Sequence, residues 1–220
     1  IGAMKCGTTT LQSQLAGQPG IFMSTPKEPK FISDDAIYAQ GLEWYRALFS
    51  AAAPGDLKGE ASTHYTKMPS YPQTLARMST VIQSPRLIYM IRNPLDRAVS
   101  HYIHEWSRRN ITQPIDQAFA QHGDLIDFGR YGMQITPFAE TYGADSILLT
   151  SLEQITATPT EELDRIGAFL GLSEPLRWQH DLAAQNVSAD RVRALPLQRL
   201  LINNPVAETL RRTLIPKSLR

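Results

Sequence analysis

Two short apolar runs restrict the possible folds of this chain more than any other feature. They are RLIYMI at 86–91 and the longer SILLTSLEQI at 146–155. The first is closed by Asn93-Pro94 and is too short for a buried helix, so it reads as a strand covered on both faces. The second reads as another buried strand, and residues 1–4 as the end of a third. Helical patterns alternate with them. Residues 159–171 carry Leu163, Ile166, Phe169 and Leu170 on one face, with Glu161 and Glu162 in the first turn and Gly171 past the end. Residues 94–109 read as a helix with Pro94 in its first turn, where proline is tolerated. Helices are also expected over 8–17, over GLEWYRALF (41–49), over 72–83 and over 114–122. QPGIFMSTPKEPKFIS (18–33) holds three prolines and is expected to be a loop. The stretch beyond residue 175 is expected to end in a basic helix. Strands alternating with helices predict an α/β fold with a mainly parallel sheet. In such sheets ligands bind beyond the C-terminal ends of the strands.

The 220 residues suit a single domain, taken as 1–220. Net charge is +1, so no global field attracts nucleic acid, and an anion site must be local. A single cysteine, Cys6, excludes an internal disulfide framework and a cysteine-built zinc site. No apolar run approaches the roughly 20 residues of a membrane span, and no signal peptide is visible. The chain opens inside an apparent strand, so the true N-terminus is expected to lie upstream.

Two loops follow strand ends. In IGAMKCGTTTL, Gly7 lets the backbone approach an oxyanion, and the amides of Thr8, Thr9 and Thr10 open the next helix. The hydroxyls of Thr8 and Thr9 can donate as well, and Lys5 adds a mobile charge. Gly2 and Gly7 have the spacing of a nucleotide-triphosphate loop, but Thr8 occupies its lysine slot. Arg92 stands where a magnesium-binding aspartate would end the second strand. Metal-free anion chemistry suits this pattern better than ATP hydrolysis. In the second loop, IRNPLDRAVSHY, Arg92 and Ser100 are candidate anion donors. Arg97 is a further cation or a surface neighbour of Asp96.

KxGTT followed by a strand ending in RxPxxRxxSxY resembles the sulfotransferases that use 3′-phosphoadenosine 5′-phosphosulfate (PAPS). KEPKF, GLEWYRALF, GEAS and GRYGMQITPFAETYG extend the likeness toward the heparan sulfate type and its bacterial relatives, over about residues 1–172. The resemblance implies a P-loop-like three-layer domain with helices flanking the sheet. It assigns Lys5, Cys6, Gly7, Thr8, Thr9 and Thr10 to the phosphosulfate, and Arg92 and Ser100 to the 3′-phosphate. Tyr131, in GRYG, is a candidate to border the adenine, and Arg130 could approach the 3′-phosphate. Arg191, with Arg193, is a candidate to close over the nucleotide. The expected activity is in-line sulfuryl transfer to a hydroxyl or amine, with a carbohydrate or small metabolite as acceptor and no metal.

Such a transfer needs placement, charge stabilisation and a base for the acceptor proton. The resemblance makes Glu28, flanked by Lys27 and Lys30, the first candidate, with His64 in GEASTHY the second. Heparan-type enzymes usually carry a lysine after the glutamate of GEAS, and Ala61 stands there. Trp44, Tyr45 and Trp106 could stack on a sugar, with core packing favoured for Tyr45. His101 and His104, one turn apart, have no assignable partner. Asn110-Ile-Thr112 and Asn186-Val-Ser188 are glycosylation sequons that would allow a Golgi lumen, but the wording of the first loop points to a bacterial, cytoplasmic enzyme. A kinase-like nucleotide enzyme and a non-catalytic nucleotide- or glycan-binding module are the alternatives.

Overall fold

The computed structural model describes residues 1–182. Arg191, Arg193, the Asn186 sequon and most of the expected C-terminal basic helix lie outside the described residues. The first half of the chain folds as α1 (Thr8–Ala16), β1 (Ile21–Met23), α2 (Asp35–Tyr38), α3 (Gly41–Ala47), β2 (Leu57–Gly59), a 3-10 turn at Thr63–Thr66 and α4 (Thr74–Val81). The second half continues with β3 (Leu87–Ile91), α5 (Pro94–Ser107), α6 (Ile115–Gln121), α7 (Asp124–Asp127), α8 (Tyr131–Tyr142), β4 (Ile147–Ser151), α9 (Leu152–Ala157) and α10 (Pro159–Leu170).

Every strand pairing among the described residues is parallel. β1 pairs with β2, and β3 pairs with β4 along its whole length, from Leu87 opposite Ile147 to Ile91 opposite Ser151. On the other side of β3, residues 2 and 3 add a short parallel rung: Ala3 N–H donates to the Met90 carbonyl at 2.6 Å, and Met90 N–H to Gly2 at 2.8 Å. Helices cover the strands as the alternating pattern predicts, giving the α/β fold of P-loop-like type. One part of the core gathers Ala3, Leu11, Leu15, Tyr89, Met90, Leu163 and Ile166 between α1, α10 and β3. Another gathers Phe31, Tyr45, Tyr65, Met78 and Phe138.

The structure overturns the sequence expectation for the stretch 18–33 and for the end of SILLTSLEQI. The proline-bearing stretch 18–33 contains β1, because Pro19 and Pro26 fall outside the three residues that need ladder hydrogen bonds. SILLTSLEQI is a strand only to Ser151. There the Ser151 hydroxyl accepts the Gln154 N–H at 3.1 Å and starts α9.

One buried device ties α1 to the far end of the described chain. Gln14 accepts the Gln179 N–H at 2.9 Å and donates to the Gln179 carbonyl at 2.8 Å. One turn on, Gln18 does the same with Arg177, at 2.9 and 2.8 Å. Two side-chain amides thus stand in for a neighbouring strand along residues 177–179. Replacing Gln14 by Leu removes both bonds and leaves the Gln179 backbone groups to compete for water. The expected cost is about 1–3 kcal/mol, read as a lower urea midpoint with an unchanged slope.

Candidate active site

The parallel rung between residues 2–3 and β3 sets the geometry. Neighbouring parallel strands end on the same side, so the loop at Lys5–Thr9 and the loop at Arg92 emerge together. Gly7 caps α1 in the left-handed region, with φ of 82°. A Cβ there would stand 2.8 Å from the Leu152 Cδ1 atom, so the glycine is required by conformation and by space. Thr8, Thr9 and Thr10 form the first turn of α1, the end of a helix where backbone N–H groups and the helix dipole favour an anion. Lys5 also takes a positive φ, 68°. Asn93 caps α5 by accepting the Leu95 N–H at 3.0 Å, and Pro94 occupies the first turn. Ser100 is buried on α5, two turns beyond Arg92.

Tyr131 fastens the two loops to each other. Its hydroxyl donates to the Arg92 carbonyl at 2.7 Å and accepts the Arg92 N–H at 3.2 Å. The Cys6 Sγ lies 3.7 Å from the same oxygen. Cys6 is buried, and its thiol is pushed up to about 11, by burial first, so it stays protonated. Its visible part here is structural contact with Tyr131.

Glu28 and His64 are brought together. The loop 28–30 is laced to the segment before the 3-10 turn: Glu28 N–H donates to Ala61 at 3.0 Å, and Lys30 N–H to the Ser62 hydroxyl at 3.3 Å. The Glu28 Oε1 accepts from Lys27 Nζ at 3.0 Å and from the Thr63 hydroxyl at 3.1 Å. Burial pushes this carboxyl up, but Lys27, Thr63 and Lys67 together outweigh it and hold it below the ordinary glutamate value. His64 stacks on Tyr71 with ring centroids 4.5 Å apart. Burial, then Lys67 and Lys30, lower it to about 4, so its imidazole is neutral at pH 7.

Several residues stand elsewhere than the sequence suggested. Arg97 is fully buried, and its Nη2 donates to the Leu125 carbonyl. Gly129 makes room for it: a Cβ there would lie 2.8 Å from the Arg97 Nε. Trp44 and Tyr45 stack on Phe31, at 6.0 and 4.6 Å, and belong to the core. His101 has carboxylates beside it after all, with Glu105 and Asp124 each 3.8 Å from its Nε2. Burial and nearby cations lower it to about 3, so it is neutral. Among the described residues no group of three or more His, Cys, Asp or Glu side chains is arranged to hold a metal ion. Sequence reasoning missed Lys67 and Gln134, which lie in stretches without a phosphate-loop pattern.

Residues 1–212 match the sulfotransferase domain family model. The chain belongs to the sulfotransferase family. It is 31% identical over 192 residues to mouse (Mus musculus) heparan sulfate glucosamine 3-O-sulfotransferase 3B1, covering 82% of this chain and 47% of that protein. It is 33% identical over 136 residues to the membrane-associated sulfotransferase kil1 of Dictyostelium discoideum, covering 58% of this chain and 28% of that one. The chain spans about half the length, or less, of these curated relatives. Among solved structures, a sulfotransferase from Alicyclobacillus acidocaldarius superposes with a TM-score of 0.69 at 24% identity, covering 91% of this chain and 86% of that one. Mouse sulfotransferase SULT7A1 complexed with PAP superposes with a TM-score of 0.52 at 18% identity, covering 94% and 85%. These two likenesses establish the sulfotransferase fold. No helix among the described residues is long and apolar enough to cross a membrane.

The Tyr131 bolt can be tested in this family member directly. Tyr131→Phe keeps the ring but strips the Arg92 N–H of its partner. It is expected to cost about 1–2 kcal/mol, measured by thermal denaturation.

Proposed function

We propose that this chain is a PAPS-dependent sulfotransferase that sulfates a hydroxyl or amine, with a carbohydrate as the favoured acceptor. The observation that carries the reading is the pair of loops at one sheet end, joined through Tyr131, with a cation-held carboxylate nearby. One loop offers a left-handed glycine and helix N–H groups, the other an arginine and a serine, so a ligand with two separated anionic groups fits both. Lys5, Cys6, Gly7, Thr8, Thr9 and Thr10 are assigned to the phosphosulfate end. Arg92 and Ser100 are assigned to the 3′-phosphate. Similarity to a heparan sulfate sulfotransferase supports a carbohydrate acceptor.

In this reading an acceptor oxygen or nitrogen attacks the sulfur. The bond from sulfur to the 5′-phosphate oxygen breaks, and the acceptor proton passes to a base. Lys5 and the α1 N–H groups oppose the charge that develops on the leaving phosphate. Glu28 is the better base candidate. Its Oε1 is engaged by Lys27 and Thr63, so Oε2 is the atom left to take the proton. His64 lies in the same cluster, but its stacked, half-buried ring is a weaker candidate. Tyr131 can border the adenine with its ring while its hydroxyl stays on Arg92.

Calorimetry with adenosine 3′,5′-bisphosphate, without magnesium, should detect saturable binding. No heat at millimolar nucleotide would sink the proposal, and magnesium-dependent ATP hydrolysis would replace it with the kinase-like reading. Lys5→Ala should cut turnover while leaving the melting temperature near that of the parent. Glu28→Gln should lower kcat by roughly 10²–10⁴ and preserve nucleotide affinity. Full turnover by that variant would remove Glu28 from the role, and His64→Asn would then be the variant to lose activity.

A further inference from the structure

Lys67 is a charged side chain that is only 9% exposed, and the reading above gives it no task. Its position is built rather than incidental. The Nζ stands over the Phe128 ring, 5.5 Å from the centroid. The same ring stacks on His101, with centroids 5.6 Å apart and planes 21° from parallel. Gln134 of α8, fully buried, fastens both sides of this contact. It accepts the Met68 N–H at 2.7 Å and donates to the Met68 carbonyl at 2.9 Å. It also donates to the Asp127 carbonyl at 2.9 Å. One amide thus holds the residue after Lys67 and the residue before Phe128 in fixed relation.

The surroundings of Lys67 are mixed in charge. Lys67 caps the end of the 3-10 turn Thr63–Thr66, whose first residue, Thr63, bonds Glu28 Oε1 at 3.1 Å, so one short turn joins the lysine to the carboxylate. Glu28 and Lys30 act on it from the 28–30 loop, Glu105 from α5 and Asp124 from α7. His64 of the 3-10 turn and His101 of α5 feel its charge in return, and both are neutral imidazoles. Among the described residues no salt bridge commits Lys67 to a single carboxylate, so its field is shared. Lys27, by contrast, is bound directly to Glu28 Oε1.

We propose that Lys67 is an electrostatic positioning residue for Glu28: a second, buried cation, fixed by Phe128 and Gln134, that keeps the carboxylate an anionic proton acceptor. This rests on the reading of Glu28 as the base. Lys27 and Thr63 orient Oε1 by contact, while Lys67 acts through space. When Glu28 has taken the acceptor proton, the neighbouring cation favours its release to water, which restores the anion for the next turnover. Burial lowers Lys67 itself to about 8, with Glu28 opposing that shift, so it remains mainly a cation at neutral pH. The sign follows: removing the cation raises the Glu28 pKa, and a base that must be deprotonated then loses activity chiefly on the acid side.

The test titrates Glu28 directly. In carboxyl-¹³C-labelled full chain, the Glu28 signal is assigned by its loss in Glu28→Gln and followed against pH. In Lys67→Met, which keeps the stem on Phe128, the signal should titrate at higher pH. Lys67→Arg should leave it near the parent position. If Lys67→Met does not fold, Lys67→Gln serves the same purpose. The kcat/KM profile should move with the signal, so the Met variant loses roughly threefold more at pH 5 than at pH 8. An unmoved Glu28 signal in a folded Met or Gln variant overturns the proposal. A moved signal with an unmoved acid limb supports the coupling of Lys67 to Glu28 and overturns Glu28 as the base instead.

Discussion

The parallel rung at Gly2, Ala3 and Met90 is the constraint on which the rest of the site depends. Parallel neighbours run out on the same side of the sheet, so pairing residues 2–3 with β3 brings the loop after each to one edge. An antiparallel pairing of the same residues would send Lys5 and Arg92 to opposite ends. Once the strands are parallel, each must be followed by a crossover, and the crossovers here begin as helices. Two helix N-terminal regions, those of α1 and α5, therefore face the same space. The anion site proposed for this edge rests on backbone geometry before any side chain is considered. Tyr131 then locks the spacing by bonding to both backbone groups of Arg92.

Around Glu28 the energetics are a contest between burial and charge. A half-buried carboxylate loses hydration and would rise toward neutrality on its own. Here the cations win, with Lys27 contributing most and Lys67 adding to it. Burial is the first cause that lowers His64, and Lys67 and Lys30 add to it. Lys67 therefore helps to keep the glutamate charged and the histidine neutral. A loop with alternating Lys, Glu, Pro and Lys can serve as more than a solvated surface when an adjoining segment holds its backbone, as Ala61 and Ser62 do.

The parts of this architecture legible in the sequence are those where local and global preferences agree. RLIYMI and the 159–171 helix were readable because their patterns are unambiguous, and α10 runs from Pro159 to Leu170 with Gly171 left-handed at its end. The loops at Lys5–Thr9 and Arg92 were readable as loops at strand ends because the apolar runs stop there and glycine, threonine, arginine and proline follow. β1 and β2 were not, since three-residue strands carry too little pattern to outweigh neighbouring prolines. Arg97 could not be told from a surface arginine. Its i−1 neighbour Asp96 suggested an exposed pair, whereas the helix phase of α5 turns Arg97 inward beside Ala98 and His101. Gln134 and Lys67 act through tertiary contacts between segments far apart in sequence, and no local spacing reports such contacts.

The two glutamates of this region make the division of labour explicit. Glu60 lies at the end of the β2 segment, enclosed by Tyr45, Tyr65 and Ser62, yet none of their hydroxyls reaches its oxygens with hydrogen-bond geometry. Burial dominates there and lifts it to about 7. Glu28, linked to the same strand end through Ala61, is lowered instead. Two carboxyl groups of the same intrinsic acidity are thus driven apart by what surrounds them. In the enclosed one burial outweighs everything that favours ionisation. Glu28 keeps its charge through Lys27 and Lys67, with the Thr63 hydroxyl adding to them. Proton acceptance at neutral pH needs an ionised carboxylate, and of these two Glu28 is the one whose surroundings hold it ionised.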